Sequence, residues 1–262
     1  MFNCSIEKSL KYDCIEIFIP VNCVYNDILV LISHGSGGVG SAEYVTADFF
    51  LKQGYTVGIN NYFSKHNIKE LYWTYDPPHH PSDEYDVSFL EMFTNVDFPD
   101  YKIIHIGFSL GGSFGLFNAN RFVKNYNFYP GILGITSKLA ETDYSNSTTF
   151  LAGNDNWCND AYYNFEQIAL SPPKTILFND AYHGFMIPNK NRPIYVAKYD
   201  FPKRIMKDYQ FAQLKPNHYE LAKKYSFTMT NILLQSNEKC STIALELISK
   251  ELNDSTNNIS RT

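Results

Sequence analysis

Short apolar runs of strand length recur along the chain: 14–20 (CIEIFIP), 28–33 (ILVLIS), 55–60 (YTVGIN), 102–107 (KIIHIG), 131–136 (GILGIT), 148–152 (TTFLA) and 174–178 (KTILF). Several are almost continuous in β-branched residues instead of alternating with polar ones. That is the pattern of strands covered on both faces of a parallel sheet. Between them, residues 42–54 (AEYVTADFFLKQG) have helical spacing, with Val45, Phe49 and Phe50 on one face and Gly54 as the C-terminal cap. Residues 110–124 also read as helix. Strand and helix in alternation predict a doubly wound α/β fold, a mostly parallel sheet flanked by helices. Near the end, ALELISKELN predicts a helix and 254–262 (DSTNNISRT) a frayed tail.

Ligands of such sheets bind at the carboxyl ends of the strands, so the residues just beyond each apolar run carry the functional information. The run at 102–107 leads into Gly107-Phe108-Ser109-Leu110-Gly111, followed by Gly112, Ser113 and Gly115. Gly-x-Ser-x-Gly at a strand-to-helix turn is the pattern of a nucleophile elbow, whose strained serine needs small neighbours so that strand and helix can approach. A serine hydroxyl needs a base, and the base an orienting acid, in the chain order Ser, acid, His. Asp155 follows the strand TTFLA and His183 follows KTILF, which supplies that order. Asp160 lies further from its strand end, and Asp180, three residues before His183, reads better as a turn residue.

The stretch His34-Gly35-Ser36-Gly37-Gly38-Val39-Gly40 admits two readings. Gly35, Gly37 and Gly40 spell G-x-G-x-x-G between a strand and a helix, the dinucleotide fingerprint, which calls for an acidic residue at the end of the next strand. That strand ends in Asn60-Asn61 instead. No Lys-Ser/Thr pair closes the loop as a P-loop requires. In the second reading, backbone N–H groups of Ser36 or Gly37, with that of Leu110, form an oxyanion hole, and His34 orders the loop. The elbow downstream favours this second reading.

Composition narrows the class. Twenty Phe and twenty Tyr in 262 residues indicate a globular protein with a substantial core, and a net charge of −5 argues against nucleic acid as a partner. No basic start and apolar run mark a signal peptide, and no stretch is long enough for a membrane span, so the expected location is cytoplasmic. Five cysteines without CxxC spacing argue against a zinc site or a disulfide framework. His79 and His80, with Asp76, Asp83 and Asp86, lie in a proline-rich stretch and read as solvated turn residues, so no metal is expected.

Taken together, HGSGG, GFSLGG, GNDNW and AYHGF resemble, in order, the motifs of the dienelactone hydrolase-like branch of the α/β-hydrolases. The resemblance spans about residues 25–187, with a weaker echo at KPNHYELAKKY. It implies an α/β-hydrolase fold, Ser109 as nucleophile, Asp155 as acid, His183 as base, and Ser36 or Gly37 with Leu110 as oxyanion donors. Two departures stand out. Dienelactone hydrolases proper use a cysteine where this chain has Ser109. They also bind a substrate carboxylate with arginines, for which only Arg192 and Arg204, beyond the histidine, are at hand.

The implied activity is hydrolysis of a small-molecule carboxylic ester or lactone through an acyl-enzyme, without metal or organic cofactor. A serine peptidase or acyl-peptide hydrolase would use the same triad, and a slow ligand-binding protein could keep the fold. The expected organisation is one domain over 1–262, with its core at about 14–235 and no large cap, because only SKLAETDYSNS separates two of the strands. Residues 61–86 and 186–215 are the segments available as cover, the latter as lid or insertion, and a homodimer is compatible with either role.

Overall fold

The computed structural model describes residues 5–67, 93–94, 96–132, 139, 141–155, 158–201, 204–211 and 227–259. Eight strands form the main sheet: β1 (Ile6–Tyr12), β2 (Ile15–Pro20), β3 (Tyr25–Ser33), β4 (Tyr55–Asn60), β5 (Lys102–Phe108), β6 (Lys124–Phe128), β7 (Ser147–Ala152) and β8 (Lys174–Phe178). Their spatial order is β1-β2-β4-β3-β5-β6-β7-β8. β1 and β2 are antiparallel to each other and β2 is antiparallel to β4, while every pairing from β4 to β8 is parallel. The expected sheet is therefore present, extended at one edge by β1, which begins before the core expected from residue 14.

The apolar runs are continuous because both faces are covered. Along β3, Val30 and Ile32 enter one core with Phe50, Ile104, Phe128 and Phe150, while Leu29 and Leu31 enter the other with Phe63, Ile103 and Phe114. Helices α1 (Ser41–Leu51) and α4 (Glu238–Ile259) contribute to the first core; α2 (Leu110–Phe117) and α3 (Asn159–Ile168) contribute to the second.

Four details differ from the sequence reading. Val45 is exposed, and α1 instead buries Ala42, Glu43, Thr46, Ala47, Phe50 and Leu51, since small residues let this face approach the sheet. The helix at 110–124 stops at Phe117, where the Asn118 side chain donates to the Phe114 carbonyl at 3.0 Å. Residues 131–136 do not supply the strand after the elbow: Gly131 and Ile132 lie outside any strand, 133–136 lie outside the described residues, and Lys124–Phe128 takes that place. Finally, α4 continues through Ile259, so 254–259 are helical where a frayed tail was expected.

Residues 191–211, within the segment read as lid or insertion, carry β9 (Asn191–Phe201) and β10 (Arg204–Phe211). Both belong to a separate three-stranded antiparallel sheet with β11 (Phe227–Gln235), in the order β10-β9-β11. Among the described residues no helix is long and apolar enough to cross a membrane.

β6 reads KNYNF, with buried asparagines in a central strand. Asn125 is tolerated because a chain of buried hydrogen bonds crosses the sheet. The Cys14 thiol donates to Asn60 Oδ1 (3.3 Å), and Asn60 Nδ2 donates to Ser33 Oγ (3.2 Å). His105 contacts Ser33 Oγ through Nε2 and Asn125 Oδ1 through Nδ1, both at 2.9 Å. Asn125 Nδ2 then donates to Ser147 Oγ and to the Gly115 carbonyl, each at 3.1 Å. The amide oxygen of Asn125 can only accept, so His105 carries its proton on Nδ1 and accepts at Nε2 from the Ser33 hydroxyl. Burial pushes the His105 pKa down to about 3, which keeps the ring neutral. Replacing Asn125 by Ala leaves His105, Ser147 and a helix carbonyl without this partner. Urea unfolding should then show a loss of about 3 kcal/mol, and a loss below about 1 kcal/mol would contradict the importance given to the chain.

Candidate active site

Register aligns the carboxyl ends of the strands. Ser33 lies opposite Gly107, Phe108 opposite Phe128, and Ala152 opposite Phe178. His34, Ser109, Tyr129, Asp155 and His183 all follow these ends within a few residues, so one edge of the sheet collects them.

Ser109 occupies the turn between β5 and α2 with φ 52° and ψ −110°. A positive φ is costly for a residue bearing a Cβ, and it persists only where surroundings over-determine it. Here the Ser109 N–H donates to the Phe128 carbonyl (2.9 Å), while the Ser109 carbonyl accepts from Ser113 N–H (3.1 Å) and Gly131 N–H (3.2 Å). Close approach of the backbones explains the glycines. A Cβ on Gly107 would collide with the Gly111 carbonyl, one on Gly111 with the Ser33 carbonyl, and one on Gly115 with Asn127 and the His105 ring.

The three residues expected to act together are brought together. His183 Nε2 lies 3.0 Å from Ser109 Oγ, and His183 Nδ1 lies 2.7 Å from Asp155 Oδ2. The other carboxylate oxygen of Asp155 accepts the Cys158 N–H at 3.2 Å. Asp155 and His183 are almost wholly buried, while Ser109 is half-buried. Because a carboxylate oxygen accepts, the proton between Asp155 and His183 sits on Nδ1, leaving the Nε2 lone pair toward the serine hydroxyl. The other two described buried histidines are otherwise engaged: His105 within the sheet and His34 beneath the glycine loop.

That loop lies against the elbow. A Cβ on Gly35 would stand 3.4 Å from Ser109 Cβ. Gly38 N–H donates to the Gly35 carbonyl (3.1 Å), so Ser36 and Gly37 are the central residues of a tight turn; Ser36 is half-buried and Gly37 exposed. Leu110, the first residue of α2, has no helical carbonyl behind it to receive its N–H. His34 donates from Nδ1 to the Gly35 carbonyl (2.7 Å) and stacks on Tyr62 with ring centroids 4.3 Å apart. Tyr62 in turn donates to the His34 carbonyl (2.7 Å) and stacks on Phe114 of α2. Burial brings the His34 pKa down to about 4, so this ring is a neutral spacer between loop and helix. Asn60, at the strand end where a dinucleotide site needs an acid, spends its side chain on Ser33 and Cys14.

Three neighbours escaped the sequence reading. Tyr129 packs its ring against His183 with centroids 4.7 Å apart; its position just after β6 would have marked it had that strand been recognised. Cys158, three residues after Asp155, is buried beside it. Glu43 is buried in the first turn of α1, its carboxylate accepting the Gly40 N–H at 2.8 Å, and only its position three residues after Gly40 hinted at this capping role. The backbone positions of Arg192 and Arg204 fall in β9 and β10 of the small sheet. Asp76, His79, His80, Asp83 and Asp86 lie outside the described residues, as does the KPNHYELAKKY segment.

No protein-family model and no curated protein matches the chain. Among solved structures it is similar to a dienelactone hydrolase from Anabaena variabilis ATCC 29413, with 13 % identity, 70 % of this chain and 88 % of that chain covered, and a TM-score of 0.46. It is also similar to an alpha-beta serine hydrolase homologue from Coxiella burnetii (13 % identity, 68 % and 88 % covered, TM-score 0.43). A third similar structure is an alpha/beta hydrolase enzyme from a metagenome of lagoon sediments at Mar Chica, Morocco (15 % identity, 70 % and 92 % covered, TM-score 0.46). At such low identities and scores, the fold assignment rests on the chain's own strand order and on the elbow between β5 and α2. These define an α/β-hydrolase fold.

The burial of Glu43 raises its pKa from 4.5 to about 6. The folded protein therefore holds this proton more tightly than the unfolded chain. The associated stability is present below about pH 4.5 and is lost as pH rises through about 6. Glu43→Gln keeps an acceptor for Gly40 without the buried charge. Relative to wild type, its stability should rise between pH 4.5 and pH 7 by on the order of 2 kcal/mol, measured by thermal or urea unfolding at several pH values. A pH-independent difference between the two proteins would contradict this assignment.

Proposed function

We propose that this protein is a serine hydrolase of the dienelactone hydrolase-like kind, acting on a small-molecule carboxylic ester or lactone. The observation that carries the reading is the continuous line Ser109–His183–Asp155, with contacts of 3.0 and 2.7 Å, at the ends of β5, β8 and β7. In the reaction, His183 Nε2 takes the Ser109 proton as Oγ attacks the ester carbonyl, and Asp155 stabilises the imidazolium that forms. Backbone N–H groups of Ser36 or Gly37 and of Leu110 receive the negative oxygen of the tetrahedral intermediate. His183 then protonates the leaving alcohol, and the acyl group remains on Oγ. Water, deprotonated by the same imidazole, attacks the acyl-enzyme and releases the acid. For a lactone, the alcohol and acid are two ends of one product.

Two features of the surroundings support this assignment of roles. The strained turn holds Oγ at the edge of the sheet, which fixes its direction toward His183 before substrate arrives. The ring of Tyr129 covers one side of the imidazole and limits its rotation.

A fluorophosphonate probe, with the adduct located by peptide mass spectrometry, tests the reading directly. The expected outcome is rapid labelling at Ser109, slowed by His183→Ala and by Asp155→Asn. On a panel of short-chain esters and lactones, Ser109→Ala and His183→Ala should each lower kcat by about 10⁴-fold or more, and Asp155→Asn by a factor about a hundredfold smaller. An unlabelled Ser109 in the wild-type protein, with no turnover of the panel, would overturn the proposal.

A further inference from the structure

Cys158 has no part in acyl transfer, yet it sits beside the residues that would carry it. Its N–H binds the Asp155 carboxylate, and a Cβ on Gly131 would lie 3.9 Å from Cys158 Sγ and 4.0 Å from Ser109 Oγ. The thiol therefore flanks the same small space as the nucleophile. One ligand atom each from Asp155, Cys158 and His183 lie within 4.8 Å of one another, all three residues being buried. Among the described residues no other group of three such side chains meets this spacing.

We propose that Asp155, Cys158 and His183 form a binding site for a borderline-soft divalent cation such as Zn²⁺, and that filling it disables the base that activates Ser109. The inhibitory half of this proposal rests on the serine hydrolase reading; the binding half does not.

The donor set fits the ion. Zinc takes sulfur, imidazole nitrogen and carboxylate oxygen in a tetrahedron, with ligand atoms about 3.3 to 3.6 Å apart at ordinary bond lengths. Starting from separations no greater than 4.8 Å, the three side chains need adjustments of roughly 1 Å, and a fourth position stays open for water. The cation itself offsets the charges of a thiolate and the neighbouring Asp155 carboxylate, and Cys158 stands at the N-terminus of α3, whose dipole adds to that effect.

The consequence for the base follows from proton bookkeeping. In the metal-free site the imidazole proton is on Nδ1, donated to Asp155, and Nε2 presents its lone pair to Ser109. A cation bound at Nδ1 needs a lone pair there, so the Nδ1 proton is given up and Nε2 becomes the protonated nitrogen, while the Cys158 thiol releases its proton to solvent. Nε2–H then donates toward Ser109 Oγ and has no lone pair with which to accept the serine proton. The metal displaces the carboxylate from Nδ1 and adopts its place as the imidazole's partner. One proton is released per ion bound, and no oxidation change occurs.

The test uses Co²⁺ as a spectroscopic stand-in, followed by Zn²⁺, on the 262-residue chain. Titration with Co²⁺ should develop a thiolate-to-metal charge-transfer band saturating at one equivalent, removed by Zn²⁺. The band should persist in Cys240→Ala and vanish in the isosteric Cys158→Ser. With Zn²⁺ at ten times its Kd, fluorophosphonate labelling of Ser109 should slow about ten-fold, and a chelator should restore it. Each variant is compared with its own metal-free rate, and zinc should change the Cys158→Ser rate by less than about two-fold. Absence of the band in wild type, or its survival in folded Cys158→Ser, overturns the site. A one-equivalent band without slower labelling overturns the inhibitory half. A protein that gives the band but never labels at Ser109 supports the metal site and counts against the hydrolase reading, so the two failures are separable.

Discussion

The contact on which this structure depends is the landing of α2 on the ends of β3 and β5. Gly111 meets the Ser33 carbonyl so closely that no side chain fits, and Gly107 meets Gly111 under the same constraint. Gly111 and Gly115 fall four residues apart on the helix, on the side turned to the sheet. The second of them faces His105 and Asn127, so the helix presses its backbone on the strands along its whole length. Such proximity forces the chain to reverse in a single residue at Ser109, and the left-handed backbone there is the price of it. The strain is held by the bond from Ser109 N–H to the end of β6 and by two donors on the Ser109 carbonyl. The direction of the hydroxyl is thus a consequence of packing several residues away.

Close packing of backbone on sheet also explains the polar interior. With glycine at 115 there is no side chain to cover the middle of the sheet, and the ring of His105 occupies that space, stacked on Phe122 with centroids 4.7 Å apart. A buried imidazole needs partners for both nitrogens, and Ser33 and Asn125 on the adjacent strands provide them. Their own remaining groups require partners in turn, which carries the chain out to Asn60 and Cys14 on one side and Ser147 on the other. One steric decision at the helix therefore sets the identities of residues on six consecutive strands or their flanks. The network is neutral throughout, which avoids the larger cost of burying charge.

This network marks where the sequence was legible and where it was not. Strands β3, β5 and β7 were readable because cores on both faces require continuous apolar runs, the edge strand β8 was readable from its apolar run alone, and the elbow and the order Ser109, Asp155, His183 followed from residues at their ends. β6 was hidden because Asn125 and Asn127 lower its apparent hydrophobicity, and the more apolar stretch beginning at Gly131 drew the assignment. Asn125 is legible only when its partners are known, and those lie on β5, β7 and α2. Val45 was misplaced for the opposite reason: large apolar residues outweighed Ala42 and Ala47, although close helix-to-sheet contact favours the small ones. The strands β9 and β10 were read as loop cover because lysine, tyrosine and proline interrupt any apolar period in 191–211.

The two buried carboxylates near the elbow show how one environment produces different behaviour. Asp155 receives an imidazole N–H and a backbone N–H. Glu43 receives the Gly40 N–H at the start of its own helix, and burial dominates its titration. Its hydrogen-bond partner is backbone, so no opposite charge offsets its desolvation. Burial, with smaller contributions from the fields of both carboxylates, raises the Tyr129 pKa well above the ordinary value, and the phenol is kept neutral beside His183. His34 is kept neutral by its burial. Burial thus keeps Tyr129 and His34 neutral near neutral pH, while Glu43 titrates as a cap of its own helix. Among the described residues His183 alone combines a ring nitrogen directed at Ser109 with a carboxylate behind it.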